Sequence, residues 1–282
     1  MTLTPSHIAA HGGGRLHHFM EYPSKHVASR PVDIWLPPGY DASATRYPVL
    51  YMHDGQNVFA PANAFTGIDW GVDEAIERSM AAGGRAAIVV GVWNTPLRRR
   101  EYMPQQPLSD PGAEQAAARF AAYADGPPLS DAYLRLLVEE VKPFVDRTYR
   151  TLPAQPETYV MGSSMGGLVS LYALCQYPQI FGGAGCLSTH WPIGGTMLVD
   201  AMAAMLPPPG RHRIYFDYGT ATLDAQYEPF QSAMDAHMAA AGYRRGEDWI
   251  TLKFEGAEHT EAAWRARVET PLRFLLGGMP KS

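Results

Sequence analysis

The stretch whose reading decides the fold runs from Thr158 to Cys175, TYVMGSSMGGLVSLYALC. An apolar, β-rich run (Tyr159–Met161) meets a helix-length run (Leu168–Tyr177) across glycines and two adjacent serines. When a strand turns sharply into a helix, the residue at the tip is forced into a strained backbone conformation. Its side chain then projects above the sheet. The residues two before and two after the tip come close together and must be small. Centred on Ser164, those neighbours are Gly162 and Gly166; centred on Ser163, they are Met161 and Met165, which would clash. The spacing selects Ser164, and Gly167 lets the following helix approach the sheet.

Outward from this turn, short apolar runs alternate with helix-length segments. The runs Val32–Leu36, Pro48–Met52, Ala87–Val92, Tyr159–Met161, Ala184–Leu187, Ile214–Tyr218 and Ile250–Phe254 read as strands. Several are continuously apolar, as in strands covered on both faces. Leu134, Leu137, Val138 and Val141 recur at the spacing of one helical face, with Ser130 placed to cap its start; Gln231–Ala241 and Glu261–Leu276 also read as helices. The alternation predicts an α/β fold with a mostly parallel central sheet flanked by helices. The Ala-, Pro- and Gly-rich stretch at 105–128 reads as an excursion over the sheet, either a small lid or a surface loop. No other boundary is visible, so residues 1–282 are expected to form a single domain.

Composition narrows the function. The chain has 282 residues, 46% hydrophobic and 18% charged, with a net charge of −5 and a pI near 6.0, long enough to bury a large core. The acidic balance argues against a nucleic-acid partner, which needs a basic face. Cys175 and Cys186 form neither a disulfide framework nor a metal-ligand pattern and read as buried thiols. No signal peptide and no apolar run of membrane-spanning length is visible, so the expected setting is cytoplasmic; a processed secreted form would read the same way.

A serine hydroxyl needs a base to take its proton and an acid to orient that base. On a sheet with such a turn, the acid and then the histidine follow the serine in chain order. After Ser164 come His190, His212, His237 and His259. His212 precedes a strand, at the wrong end of the sheet; His237 lies in a helical run; His190 comes before any suitable acid. His259, in FEGAEHTEAAW after the last strand, is the expected base. Asp224, in the loop after Arg213–Tyr218, is favoured as the acid over Asp217 inside that strand, since a loop aspartate can reach across to the imidazole. Backbone N–H groups should stabilise the oxyanion. One is that of Met165, directly after the nucleophile; the other, expected from the loop after the third strand of such a sheet, is assigned to Gln56 in MHDGQNVF (52–59). HGGG at 11–14 matches an oxyanion sequence of lipases but precedes the first strand, and it reads as a flexible N-terminal segment. His11, His17 and His18 find no convincing partners for a metal.

Together, RPVDIWLPPGYD, YPVLYMHDGQNVF, YVMGSSMGGLVSLY and GAEHTEAAW resemble the putative esterase family of α/β-hydrolases. That family includes esterase D (S-formylglutathione hydrolase), enterochelin esterases, and feruloyl and acetyl-xylan esterases. The resemblance runs from about Val32 to Leu276. It implies an α/β-hydrolase fold, a Ser164–Asp224–His259 triad and an oxyanion hole at Gln56 and Met165. NTPLRRREYMP also resembles the family, through Asn94, Arg98, Glu101 and Tyr102; this suggests either an Arg–Glu pair that fixes the loop or an Arg that meets a polar substrate. The STHWP stretch and the 105–128 excursion depart from the family pattern, and both bear on substrate choice.

The expected activity is a cofactor-free, metal-free carboxylic ester hydrolase acting on a polar small-molecule or carbohydrate ester, such as an acylated sugar. A siderophore lactone and S-formylglutathione are alternative substrates. Trp70, Trp93, Arg98, His190 and Trp191 are candidates to line the mouth. An acyltransferase on the same triad, a peptidase and a non-catalytic binding protein on the same fold are the rival classes.

Overall fold

The computed structural model describes residues 5–8 and 13–277. Among the described residues nine strands form one sheet: β1 (Ser6–Ile8), β2 (Arg15–Tyr22), β3 (Arg30–Leu36), β4 (Val49–His53), β5 (Ile88–Val92), β6 (Thr158–Ser163), β7 (Gly183–Leu187), β8 (Arg213–Gly219) and β9 (Trp249–Phe254). Their order is β1-β2-β3-β5-β4-β6-β7-β8-β9. β5, β4, β6, β7, β8 and β9 run parallel; β1, β2 and β3 are joined to one another and to β5 by antiparallel pairing. The helices are α1 (Val72–Ala81), α2 (Arg98–Tyr102), α3 (Gln105–Ser109), α4 (Glu114–Ala124), α5 (Ser130–Arg135), α6 (Lys142–Thr148), α7 (Met165–Gln176), α8 (Gly195–Ala204), α9 (Glu228–Ala240), α10 (Glu261–Arg267) and α11 (Glu269–Leu276). This is an α/β-hydrolase fold. Among the described residues no helix is long and apolar enough to cross a membrane.

The strands from β3 to β8 are buried on both faces, and their alternation builds two cores. Val49, Tyr51 and Val160 point to the side of α5, α7, α8 and α9, whereas Leu50, Met52, Tyr159 and Met161 point to the side of α1, α10 and α11. This is the two-residue period of a strand applied to a sheet whose central strands are covered on both faces. All seven strands expected from the sequence are present. The segments before and after them that lacked a clean period are less well anticipated. β2 was not legible because its burial does not alternate and its pairing with β3 shifts register between Phe19 and Tyr22. The single helix expected over Glu261–Leu276 is broken at Val268 into α10 and α11. Ser130 is the first residue of α5 rather than its cap, which is Leu129, and the turns that follow, 136–141, widen into a π-helix.

Chain direction changes at the centre. From β4 the chain moves outward to β5, then returns to place β6 on the other side of β4. Such a switch opens a crevice at the carboxyl ends of the two strands. The loops that follow β4 and β6, carrying Asp54–Gln56 and Ser164, flank that crevice. His11 lies outside the described residues. Gly13 and Gly14 donate their N–H groups to Glu77 Oε1 on α1 (2.9 and 3.1 Å), so the described half of HGGG is tied to that helix.

Candidate active site

Ser164 stands between β6 and α7 with φ 57° and ψ −122°, a backbone region that side-chain-bearing residues rarely adopt. Such strain costs on the order of 1–3 kcal/mol and must be held by its surroundings. Here the holding bonds are many: Ser164 N–H donates to Leu187 O (2.9 Å), while Ser164 O accepts from Gly167 (3.0 Å), Leu168 (3.2 Å) and His190 (3.2 Å). A Cβ at Gly162 would come within 2.9 Å of the Gly166 backbone, and one at Gly167 within 3.1–3.2 Å of Thr189 Oγ1 and Leu187 O. The glycines thus permit the turn and the close approach of α7 to β7.

On the loop after β9, His259 faces Asp224 from the loop after β8. Nδ1 of the imidazole donates to Asp224 Oδ1 at 2.6 Å. The other oxygen, Oδ2, accepts from Ser188 Oγ (2.6 Å) and Gly219 N–H (2.7 Å). Burial pushes the Asp224 carboxyl up, but the hydrogen bonds from His259, Ser188 and Gly219 outweigh it and hold the group below its usual range. The His259 backbone N–H donates to Thr222 Oγ1 (2.9 Å), and the His259 ring stands edge-on to Trp264 at 4.9 Å.

Asp217 points elsewhere. Its carboxylate takes Arg267 Nε and Nη2 (both 3.1 Å) and the Tyr215 hydroxyl (2.8 Å). The same Arg267 donates to Ser188 Oγ at 2.8 Å, and Trp264 Nε1 does so at 3.0 Å. Ser188, itself at φ 42°, therefore couples Asp224 to a buried Arg267–Asp217 pair. Neither Ser188 nor Arg267 was identified from the sequence: they meet across 79 positions, and nothing local marks either.

Gln56 belongs to a tight turn, 55–57, after β4. Asp54 before it has φ 56° and a buried carboxylate gripped in two-pronged fashion by Arg98 (Nε–Oδ1 and Nη2–Oδ2, both 2.7 Å) and by Asn94 Nδ2 (2.6 Å). Burial alone would raise the Asp54 carboxyl; the Arg98 charge and the bonds from Arg98 and Asn94 hold it below its usual range. Gln56 Oε1 accepts from the Asn94 N–H at 3.2 Å. Among the described residues neither the Gln56 nor the Met165 backbone N–H has a protein acceptor. Gly55 is obligatory, because a Cβ there would sit 2.5 Å from the Gly91 backbone. Glu101 is bound by Arg30 (2.6 and 2.9 Å) and the Thr95 hydroxyl (3.2 Å), so the Arg–Glu pair that fixes this loop uses Arg30, while Arg98 holds Asp54.

A cleft of about 520 Å³ brings Ser164, His259, Gln56, Asn94, Arg98 and Trp264 to one opening. His190 is tied to the Ser164 turn through its backbone N–H, its Nδ1 lies 2.6 Å from the Tyr227 hydroxyl, and the Tyr227 ring stands edge-on to His259 at 5.6 Å. Burial, then the charges of His259 and Arg98, lower His190 to about 4, so it is neutral at pH 7. Tyr227 was missed because it opens a helix with no motif of its own. The tryptophans are largely corrected. Trp191 is fully buried and donates to Gln231 Oε1 (3.1 Å), so it cannot meet a substrate. Trp70 is buried against Trp264. Trp93 Nε1 donates to Asp33 Oδ2 (2.6 Å), while Asp33 Oδ1 lies 2.5 Å from His18 Nδ1. His17 Nδ1 lies 2.8 Å from the Tyr149 hydroxyl, His212 Nε2 2.9 Å from Pro178 O, and His237 Nε2 2.8 Å from Asp200. Among the described residues no group of three or more His, Cys, Asp or Glu is placed to hold a metal ion.

Residues 27–275 match the family described as "Putative esterase". The chain belongs to that family. Its membership makes the protein an esterase. It is 22% identical over 261 residues to a Bacillus subtilis (strain 168) protein, "Uncharacterized protein YbbA", covering 90% of this chain and 96% of that one. Among solved structures, an IroE-like serine hydrolase from Shewanella oneidensis is similar with a TM-score of 0.65 at 18% identity, covering 90% of this chain and 78% of that one. The ferulic acid esterase AmCE1/Fae1A from Anaeromyces mucronatus gives a TM-score of 0.62 at 18% identity, covering 97% and 90%. At such identities these two share the fold with the esterase described here.

Proposed function

We propose that this esterase hydrolyses carboxylic esters with a polar alcohol part, such as acylated carbohydrates, using Ser164 as nucleophile, His259 as base and Asp224 as orienting acid. The observation that carries the reading is the 2.6 Å contact between His259 Nδ1 and Asp224 Oδ1, with the same imidazole and a strained Ser164 lining one cleft. Asp224 keeps the proton on Nδ1, which leaves Nε2 free to accept one.

In the first half-reaction Ser164 Oγ attacks the ester carbonyl carbon and its proton passes to His259. The carbonyl π pair moves onto oxygen, and the Gln56 and Met165 N–H groups, without an acceptor among the described residues, receive the charge in this reading. When that pair returns, the C–O bond to the alcohol breaks, and His259 gives its proton to the departing oxygen. Water then enters; His259 takes its proton as the hydroxyl attacks the acyl carbon. Collapse releases the acid, and His259 returns the proton to Ser164. The polar rim of the cleft (Asn94, Arg98, Thr66 and Glu261) supports a polar alcohol.

A panel of p-nitrophenyl acyl esters and acetylated or feruloylated oligosaccharides, assayed with wild type and Ser164→Ala, tests the reading. The variant should melt like wild type and lose at least about a thousandfold in kcat, in line with the loss of a triad nucleophile. Retention of turnover by Ser164→Ala would refute the assignment.

A further inference from the structure

Ser188, the first residue beyond β7, has φ 42°, a left-handed backbone that glycine adopts at less cost. What glycine would lack is the hydroxyl, and here the hydroxyl is fully buried with three partners. Arg267 Nη2 donates to Ser188 Oγ at 2.8 Å and Trp264 Nε1 at 3.0 Å; neither group can accept. A hydroxyl has two lone pairs and one proton. Both lone pairs are taken, so the proton goes to Asp224 Oδ2 at 2.6 Å. Gly219 N–H meets the same oxygen at 2.7 Å, and His259 Nδ1 meets the other at 2.6 Å. Donors face both oxygens of Asp224, an arrangement that suits the ionised carboxylate and leaves a protonated one with its own hydrogen against a donor. Arg267 itself stays 4.0 Å from Asp224 Oδ2 and gives two bonds of 3.1 Å to Asp217. A guanidinium closed directly on Asp224 would compete with His259 for its charge. Ser188 passes on a hydrogen bond in place of that contact.

We propose that Ser188 is a positioning residue for ester cleavage: its hydroxyl, oriented by Arg267 and Trp264, fixes the Asp224 carboxylate so that Oδ1 is presented to His259. The proposal rests on the Ser164–Asp224–His259 reading above. Two further contacts support it. The short segment that carries Ser188 also holds the nucleophile, since Leu187 O accepts from Ser164 N–H (2.9 Å) and His190 N–H donates to Ser164 O (3.2 Å). Trp264, which orients the Ser188 hydroxyl through its N–H, sets its ring edge-on to His259 at 4.9 Å. Serine, aspartate and histidine are thereby held from one short segment and one indole. Within STHWP, Ser188 serves the triad rather than the substrate.

Steady-state kinetics and thermal melts on Ser188→Ala and Ser188→Gly, with a p-nitrophenyl ester that wild type hydrolyses, test the proposal. Both variants remove the hydroxyl. Losing a hydrogen bond to a charged group should lower kcat about tenfold and leave KM within about twofold of wild type. Glycine relieves the positive φ and alanine does not, so Ser188→Gly should melt above Ser188→Ala yet turn over no faster. If Ser188→Ala does not fold, Ser188→Gly decides alone by its kcat. A double-mutant cycle then asks through which group the hydroxyl acts. In an Asp224→Ala background, removing it should change the residual kcat by less than about twofold, because the carboxylate that it positions is gone. Wild-type kcat in the Ser188 variants, a kcat that follows the melting temperature, or a tenfold loss that persists beside Asp224→Ala would overturn the proposal. Ser164→Ala keeps the two levels apart. If it is silent while the Ser188 variants are as active as wild type, the triad stands and only the role of Ser188 falls; if it retains turnover, the triad reading itself is wrong.

Discussion

The Tyr227 hydroxyl lies 2.6 Å from His190 Nδ1, and the His190 backbone N–H donates to Ser164 O at 3.2 Å, so a neutral histidine ties the phenol to the Ser164 turn. The Tyr227 ring stands edge-on to the His259 ring at 5.6 Å. The phenol thus sits beside His259, with its own ionisation pushed far above normal by burial and then by the Asp224 charge. Tyr227→Phe keeps the ring and removes one neutral hydrogen bond, a loss of about 1 kcal/mol. The expected outcome is a drop in kcat of about fivefold with KM nearly unchanged. Steady-state kinetics on a p-nitrophenyl ester would check it, and a variant whose KM alone moves would place Tyr227 in substrate binding instead.

Asp224 and Asp217 are both buried, and only their partners tell them apart. Asp224→Asn keeps the shape but upsets the Nδ1 tautomer of His259, and kcat should fall about a thousandfold or more with little change in melting temperature. Asp217→Asn leaves Arg267 buried without its counter-charge, which typically costs about 3–5 kcal/mol of stability. Its main effect should be a lower melting temperature. Thermal melts and kinetics on the two variants should therefore show opposite patterns; loss of kcat confined to Asp217→Asn would exchange the two roles.

The contrast also shows what the chain makes legible. Ser164 could be read because its demands are local: a Cβ at position 162 collides with the Gly166 backbone, so the glycine spacing records the turn. Asp224 could be preferred over Asp217 because a loop can reach and a strand residue is committed to a face. The Asp224–Ser188–Arg267 connection could not be read, since it joins three separate loops and helices through side chains whose neighbours in sequence carry no signal. Trp191 was misjudged for a related reason. Proximity to a strand end does not say whether a side chain turns outward or, as here, inward to Gln231. Arg98 was found with a motif, but its partner Asp54 lies 44 positions away and only the fold supplies it.

That Arg98–Asp54 pair anchors the turn that carries Gln56. Arg98 closes two parallel hydrogen bonds of 2.7 Å on a carboxylate that is almost wholly buried at positive φ. A lysine offers one point charge and cannot reproduce the fork. Arg98→Lys should lower kcat/KM by about tenfold or more, through a turn that no longer holds its N–H in place, since a lost oxyanion donor costs about a hundredfold. Asp54→Asn should behave similarly. If Arg98→Lys instead raises KM only for polar alcohols and spares small aryl esters, the guanidinium contacts substrate directly.

Asp73 offers a stability test remote from the chemistry. It sits fully buried in the first turn of α1. Burial raises its pKa from 3.8 to about 7, the backbone N–H of Glu74 offsets part of this, and the Glu74 and Asp69 charges add to the rise. Between 3.8 and about 7 the folded protein therefore holds a proton that the unfolded chain has lost. Folded-state proton excess makes stability fall as pH rises through that window, and the loss is complete above it. The sign is the reverse of that for a salt-bridged carboxylate. Asp73→Asn removes the ionisation while keeping the shape, so the variant should gain on the order of 2–4 kcal/mol over wild type at pH 8 and little at pH 4. Urea melts of both proteins across that range would show the curves converging at low pH. Parallel curves would mean that Asp73 ionises in the folded protein as it does in the unfolded chain.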